Sequence, residues 1–118
     1  SVEESIRDIF MDQTLPDIII CLNELSTTCV YQAVVDYNCV GEIAILGYYD
    51  TDTILEAIER NVITATISID TEQMGAFCVD ALQEYYNYGY TSQYFTADVT
   101  VIDQSNVEEY LGKQEEAE

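Results

Sequence analysis

The feature that most constrains the fold is an order of elements that occurs three times along the chain. An apolar run ends in a polar cluster, and a helical pattern follows at once. The three runs with their clusters are IIICLNE (18–24), IAILGYYD (43–50) and ITATISID (63–70). This order is typical of parallel strands that are joined by crossover helices.

Polar side chains follow each of these runs at the predicted strand end. They are Asn23, Tyr49, Asp50 and Asp70. In an open parallel sheet the carboxyl ends of the strands share one edge, and ligands bind in the crevice outside that edge. We therefore expect these side chains to surround one site.

The rest of the chain continues the alternation of helices and strands. The predicted helices cover 2–13, 26–38, 52–60, 71–88 and 105–111, and the predicted strands cover 18–20, 42–46, 62–69 and 95–102. Because Ile18, Ile19 and Ile20 are apolar on both sides of their strand, we expect helices on both faces of the sheet. The order predicts an α/β domain over 1–112, folded as a three-layer αβα sandwich with a mostly parallel sheet. The acidic residues 113–118 are expected to form a disordered tail.

The charge of the chain excludes several kinds of partner. It carries 23 acidic and 3 basic residues, which gives a net charge of −20. Three scattered cations cannot form a basic patch, so this segment is not expected to bind nucleic acid or anionic lipid. No run reaches the roughly 18 apolar residues of a membrane-spanning helix. The start SVEESIRDIF also lacks a signal-peptide pattern, so any export signal is expected upstream of Ser1.

The residues for common kinds of catalysis are missing. The chain has no His, no CxxC pair and no glycine-rich phosphate loop. A Ser or Cys nucleophile would lack its usual base, and zinc and haem signatures are absent. Asp50, Asp52 and Asp70 leave open a carboxylate or metal site, although among 23 acids chance proximity explains them better. We expect a protein that is not an enzyme and needs no cofactor.

Two further residue types allow predictions. Cys21, Cys29, Cys39 and Cys78 are expected to be free, buried thiols, with Cys39 near a loop the most reactive. Tyrosines cluster at the end of the longest predicted helix; they are Tyr85, Tyr86, Tyr88, Tyr90 and Tyr94. Either they cover the core edge with their hydroxyls in water, or they make a contact with another lobe or chain.

Three segments resemble, in order and spacing, the sugar-binding fold of type 1 periplasmic binding proteins and the effector domains of LacI-type repressors. PDIIICLNELST is similar to the strand that ends in Asn-Asp before a helix. EIAILGYYDTDTILEAI resembles the Val-Val-Gly-Phe-Asp-Asp-Thr-Pro block. ITATISIDTEQMGAFCVDAL resembles the Ala-Thr-Ile-x-Gln-x-Pro-x-x-x-Gly segment and its helix. The likeness covers residues 14–103.

The end of the chain favours one branch of this family. ADVTVIDQSNVEEYL resembles the C-terminus of the transport-type proteins, where a strand leads into Asn-Val and a short helix. The Arg-x-Ser type ending and the helix-turn-helix of the repressors are missing. An effector domain of a LacI-type regulator, which would be cytoplasmic, remains the alternative. A stand-alone interaction module that uses the tyrosines is a third reading.

The resemblance implies a set of ligand-binding positions. They are Asn23, Glu24, Tyr49, Asp50, Ile69 and Asp70. Asn23 matches the family asparagine whose amide binds sugar hydroxyls. An amide suits this role because it both donates and accepts hydrogen bonds. Tyr49 replaces a usual Asp, with Asp50 next to it. Ile69 replaces a usual Gln, with Asp70 next to it.

The resemblance also implies that a partner lobe is missing. Family members clamp a sugar or polyol between two lobes, and this chain resembles the C-terminal portion. It implies an extracellular or periplasmic solute-binding protein, anchored to the membrane through a missing N-terminal segment, that serves an importer's permease or a sugar sensor. Without the other lobe, we expect the helix over 71–88 to pack back on its own sheet or to be exchanged in a swapped homodimer.

Overall fold

The computed structural model describes residues 1–92 and 94–117. Helices and strands alternate along the chain from the first element to the last. The helices are α1 (Val2–Met11), α2 (Glu24–Asp36), α3 (Asp52–Glu59), α4 (Thr71–Tyr88) and α5 (Val107–Ala117). The strands are β1 (Ile18–Ile20), β2 (Ala44–Tyr48), β3 (Ala65–Ile69) and β4 (Val99–Asp103). The sequence predicted a disordered tail over 113–118, whereas α5 continues to Ala117 and Glu118 lies outside the described residues.

The four strands form one sheet in the order β1-β2-β3-β4. β1 and β2 run parallel with Ile19 opposite Ile45, and β2 and β3 run parallel with Gly47 opposite Thr66. The predicted α/β class and its mostly parallel sheet are therefore confirmed. The carboxyl ends of β1 and β2 meet at one edge, because successive parallel strands point the same way.

The chain divides into two compact units. Unit 1 comprises Ser1–Ser68 and Val101–Glu118, and unit 2 comprises Ile69–Thr100. No helix among the described residues is long and apolar enough to cross a membrane.

The helices of unit 1 form a connected series around its core. α1 contacts α2, α2 contacts α3, and α3 contacts α5. The side chains of Ile45, Ile54, Leu55, Ile58 and Ile102 are completely buried there. Among the residues of this unit whose burial the structure describes, two buried side chains are polar, Thr27 and Thr66. Both hydroxyls form hydrogen bonds near the edge of the sheet.

The strands of unit 1 bury one face and expose the other. The exposed apolar residues, which we call the open face, are Ile18, Ile20, Leu46, Ile67 and Val101. Ile18 and Ile20 expose 57% and 64% of their surface, so the prediction of helical cover on both sides of β1 is wrong. Three consecutive isoleucines make both faces of a strand suitable for burial, but they do not supply the covering helix. The described residues of unit 1 therefore leave this face of the sheet open.

Unit 2 is built around α4, which buries none of its residues. Asp70 caps the start of the helix, and Gly89 ends it in the left-handed conformation at φ 76°. The rings of Phe77 and Phe95 lie 5.4 Å apart and line an apolar groove of about 520 Å³. Leu82 in α4 remains 71% exposed. Packing of this helix back on its own sheet and its exchange between two chains both stay predictions.

Candidate functional site

Asn23 lies just after β1 and begins α2. Its Oδ1 atom accepts a hydrogen bond of 2.8 Å from the backbone N–H of Ser26, which caps the helix. The Nδ2 group of Asn23 forms no hydrogen bond with the described residues, and the residue is exposed. The cap therefore fixes the amide and leaves its donor side open to a ligand. Glu24, the first residue of α2, is also exposed.

Thr27 joins the beginning of α2 to the end of β2. Its buried Oγ1 donates to the carbonyl oxygen of Asn23 at 2.7 Å and accepts from the backbone N–H of Tyr48 at 3.0 Å. The ends of β1 and β2 are also tied by the N–H of Cys21, which donates to the carbonyl of Leu46 at 2.8 Å. The structure therefore brings Asn23 and the residues after β2 to one edge, as predicted. Local sequence patterns do not reveal this role of Thr27, because its two partners come together only in the folded chain.

Tyr49 adopts an unusual backbone conformation at this edge. Its φ is 88°, in the region that bulky residues seldom occupy. The N–H of Tyr49 donates to the carbonyl of Ile67 at 2.8 Å, and its own carbonyl accepts from the Thr66 hydroxyl at 2.6 Å. These two bonds to β3 hold the strained residue in place. The half-buried side chain of Tyr49 packs against the core, which limits the ring surface that it can offer to a sugar.

Asp50 follows Tyr49 and is half-buried. Its Oδ2 atom accepts a hydrogen bond of 2.9 Å from the hydroxyl of Ser68 in β3. Thr51 then caps α3 by accepting from the N–H of Ile54 at 3.4 Å. The Asp50 carboxylate is thus held beside β3, at the same edge as the N-terminus of α3.

Ile69 and Asp70 lie in unit 2. Ile69 is the last residue of β3 and lines the apolar groove beside Phe77. Asp70 caps α4, since its Oδ1 accepts from the N–H of Gln73 at 3.0 Å. Its own N–H donates to the carbonyl of Asp98 at 3.1 Å. The need for a capping residue at the start of α4 is enough to explain why Asp70 is acidic.

The chemistry of the edge in unit 1 favours neutral hydroxyl compounds. Asn23 offers an N–H donor, and the carboxylates of Glu24 and Asp50 accept hydrogen bonds from hydroxyl groups. Two carboxylates in a chain with a net charge of −20 repel anionic ligands. The described residues contain no group of three or more His, Cys, Asp or Glu side chains that could hold a metal ion.

The four cysteines are free, but their exposure differs from the prediction. Cys39 is buried, and burial raises the pKa of its thiol, with the charge of Glu42 raising it further. Cys39 is therefore not the most reactive thiol that the sequence predicted. Burial also raises the pKa of Cys21, whereas Cys78 on α4 is exposed. Cys39 lies near a loop, but packing beside α2 makes its side chain inaccessible.

Comparison with known proteins adds a fold relationship. No protein-family model matches the chain, and no curated protein does. Among solved structures, a XylFII–LytSN complex aligns with 88% of this chain at 25% identity and a TM-score of 0.75. A solute-binding protein of an ABC transporter from Bacillus halodurans, with bound myo-inositol, aligns with 95% at 20% identity and a TM-score of 0.79. GanP, a glucose-galactose binding protein from Geobacillus stearothermophilus, aligns with 89% at 16% identity and a TM-score of 0.79.

These solved proteins are longer than the present chain. The aligned part is 36% of the chain in the XylFII–LytSN complex, 39% of the Bacillus halodurans protein and 38% of GanP. The neighbours named for a function are solute-binding or sugar-binding proteins rather than enzymes. The predicted resemblance is confirmed: the chain has the α/β fold of one lobe of the type 1 periplasmic sugar-binding proteins.

Proposed function

We propose that the chain is the C-terminal portion of a binding protein for a sugar or small polar solute. The protein would serve an ABC-type importer or a sugar-sensing system, outside the cytoplasmic membrane. Two lobes would close on the ligand, with no covalent step. The observation that carries the proposal is the exposed, capped amide of Asn23, whose Nδ2 group has no hydrogen-bond partner among the described residues.

The edge of unit 1 supports a polyol as ligand. A sugar hydroxyl both donates and accepts hydrogen bonds, so it pairs with the Asn23 amide on one side and a carboxylate on the other. Thr27 and Thr66 fix the backbone around these groups through buried hydroxyls. A preformed arrangement of this kind loses less conformational entropy when a ligand binds.

The proposal assigns the other half of the site to a second lobe. The chain corresponds to 36–41% of the solved neighbours' length, so those proteins hold a further part that this chain does not match. Two sets of exposed apolar side chains would suit contact with more protein: the open face of unit 1, and Met74, Val79 and Leu82 of α4. A permease would be the partner of the complete protein, and a missing N-terminal segment would anchor it to the membrane.

A LacI-type regulator remains the alternative function for this fold. The names of the solved neighbours favour transport, since they describe sugar ABC transporters and solute-binding proteins. The sequence upstream of Ser1 separates the two. A signal peptide with a lipobox cysteine supports transport, and a helix-turn-helix supports regulation.

The test of the sugar site uses the chain 1–118 and two substitutions at Asn23. Asn23→Ser keeps a capping oxygen but removes the amide donor, whereas Asn23→Ala removes both. We expect NMR titration with myo-inositol, D-allose or D-glucose up to about 100 mM to shift the Asn23 side-chain signals, because half a site binds weakly. In both variants we expect the sugar-induced shifts of the signals around Asp50 to disappear. Only Asn23→Ala should unfold at a lower urea concentration than the wild type.

Two results would count against the proposal. If none of the three sugars shifts signals at Asn23 or Asp50, the edge is not a sugar site. If calorimetry gives micromolar affinity for the chain alone, the site is complete without a second lobe.

A further inference from the structure

We propose that the tyrosines at the end of α4 form a docking surface for an arginine-containing segment of a protein partner. This tyrosine cluster comprises Tyr85, Tyr86, Tyr88, Tyr90 and Tyr94. It lies in unit 2, and the inference does not depend on the sugar site proposed for unit 1.

The cluster exposes an unusual amount of aromatic surface. The exposed fractions of the five side chains run from 62% at Tyr85 to 90% at Tyr86. Aromatic rings lose unfavourable contact with water when a partner covers them, and tyrosine is enriched in protein interfaces for this reason. Five exposed rings between Tyr85 and Tyr94 therefore leave aromatic surface that a partner can cover.

The segment after α4 is held in place rather than left to extend. Gly89 turns the chain in the left-handed conformation at φ 76°. The Glu84 carboxylate then accepts hydrogen bonds from the Ser92 N–H at 3.1 Å, the Ser92 hydroxyl at 2.9 Å and the Thr91 hydroxyl at 3.1 Å. These bonds, first of all those from Ser92, lower the pKa of Glu84 and keep its charge at neutral pH.

This turn sets the positions of two rings in the cluster. The centroids of Tyr88 and Tyr90 lie 6.1 Å apart, with an angle of 33° between the rings. Glu84 thereby acts as a positioning residue, because it ties the residues after Tyr90 back to the helix that carries Tyr88. A partner meets rings that are already arranged, and less conformational entropy is lost when it binds.

The charge of the chain selects the chemistry of the partner. Ring faces attract cations, and arginine also stacks on them through its flat guanidinium group. A net charge of −20 draws basic segments and repels another copy of this chain, which has only Arg7, Arg60 and Lys113 as cationic side chains. An arginine-containing segment would stack on the ring faces and would also be attracted by the negative charge of the chain.

The test measures binding of a labelled Gly-Arg repeat peptide by fluorescence anisotropy. The variant Tyr86→Ser/Tyr88→Ser/Tyr90→Ser removes three rings without altering the net charge, and the matched Tyr→Phe triple keeps the rings. We expect the serine triple to weaken binding about tenfold, since each exposed cation–π contact is worth about two- to fivefold in affinity. The phenylalanine triple and the wild type should bind alike, and a Gly-Lys repeat should bind the wild type more weakly.

Glu84 supplies a second measurement. Glu84→Ala releases the turn and should weaken binding of the arginine peptide, whereas Asp80→Ala, which removes an equal charge from the same helix, should have a smaller effect. Equal affinity of the wild type and the serine triple would overturn the proposal, because bulk charge would then account for all binding. A dimer in sedimentation velocity that the serine triple dissociates would also overturn it, since the occupant would be a second copy.

Discussion

Gly47 in β2 and Thr27 in α2 are in such close contact that a side chain at Gly47 has no room. A Cβ atom there would lie 2.6 Å from Cγ2 of Thr27 and 3.3 Å from Oγ1 of Thr66. The two threonines are the residues whose hydroxyls hold the backbone at Asn23 and Tyr49. The lack of a side chain at one position thus allows the candidate site to keep its geometry.

We expect Gly47→Ala to lower the free energy of unfolding by about 1–3 kcal/mol, because the added methyl group must displace Thr27. Urea denaturation followed by circular dichroism measures the change. Gly75→Ala in α4 is the control, since nothing lies within 4 Å of its Cβ position. That substitution should leave stability unchanged or raise it. A Gly47→Ala protein as stable as the wild type would show that β2 and α2 separate easily.

We expect Thr27→Val to cost about 1–3 kcal/mol, because it leaves the N–H of Tyr48 without its buried acceptor while keeping the side-chain shape. The matched control is Thr28→Val, one residue along the same helix, whose hydroxyl bonds only to the carbonyls of Glu24 and Leu25. Thermal unfolding compares the two variants. Equal losses would mean that the cost arises from valine in a helix and not from the bridge to β2.

We expect one thiol to react rapidly with Ellman's reagent at neutral to slightly alkaline pH. Cys78 is exposed, whereas burial raises the pKa of Cys21 and of Cys39, so few of those thiols ionise. Cys78→Ser should remove the rapid phase, and Cys39→Ser should preserve it. A rapid phase that disappears with Cys39 instead would contradict the burial of that side chain.

We expect the Asp103 carboxyl to titrate below its ordinary pKa of 3.8, because the Ser105 hydroxyl and the Ser105 N–H donate to it at 2.5 and 2.9 Å. The ionised form is favoured in the folded protein. Its contribution to stability is therefore complete above pH 3.8 and is lost as the pH falls through the lower folded value. Carboxyl NMR titration measures the pKa. Ser105→Ala should raise it, and Ser105→Thr should keep it low.

We expect added salt to stabilise the chain, since 23 acidic residues face only 3 basic ones. Salt shortens the Debye length from roughly 30 Å at 0.01 M to about 8 Å at 0.15 M, which screens the repulsion between carboxylates. The urea midpoint should therefore rise between these two concentrations of sodium chloride. A midpoint that falls with salt would mean that attractive charge pairs outweigh the repulsion.

The candidate site was partly accessible from sequence. Strand ends, and the polar residues after them, follow from local patterns, so Asn23, Tyr49 and Asp50 were found without coordinates. Which functional role each residue has is harder to predict. Asp70 is placed by the need to cap α4, and the same residue type serves a cap and a ligand equally well.

Local sequence patterns are enough to predict the order of helices and strands, the parallel sheet and several helix ends. Asn61 takes the left-handed conformation at φ 62°, and Gly89 at 76°, a conformation that asparagine and glycine adopt more readily than other residues. These features depend on neighbours along the chain, which a sequence displays directly.

Local patterns do not predict which sheet face is covered, which cysteine is exposed or which groups the Thr27 and Thr66 hydroxyls contact, because these depend on long-range packing. Thr27 meets the N–H of Tyr48 across 21 positions of sequence, and Thr66 meets the carbonyl of Tyr49 across 17. Burial is a property of elements packed together, so an apolar run such as Ile18–Ile20 shows what a strand can bury but not whether a helix lies over it.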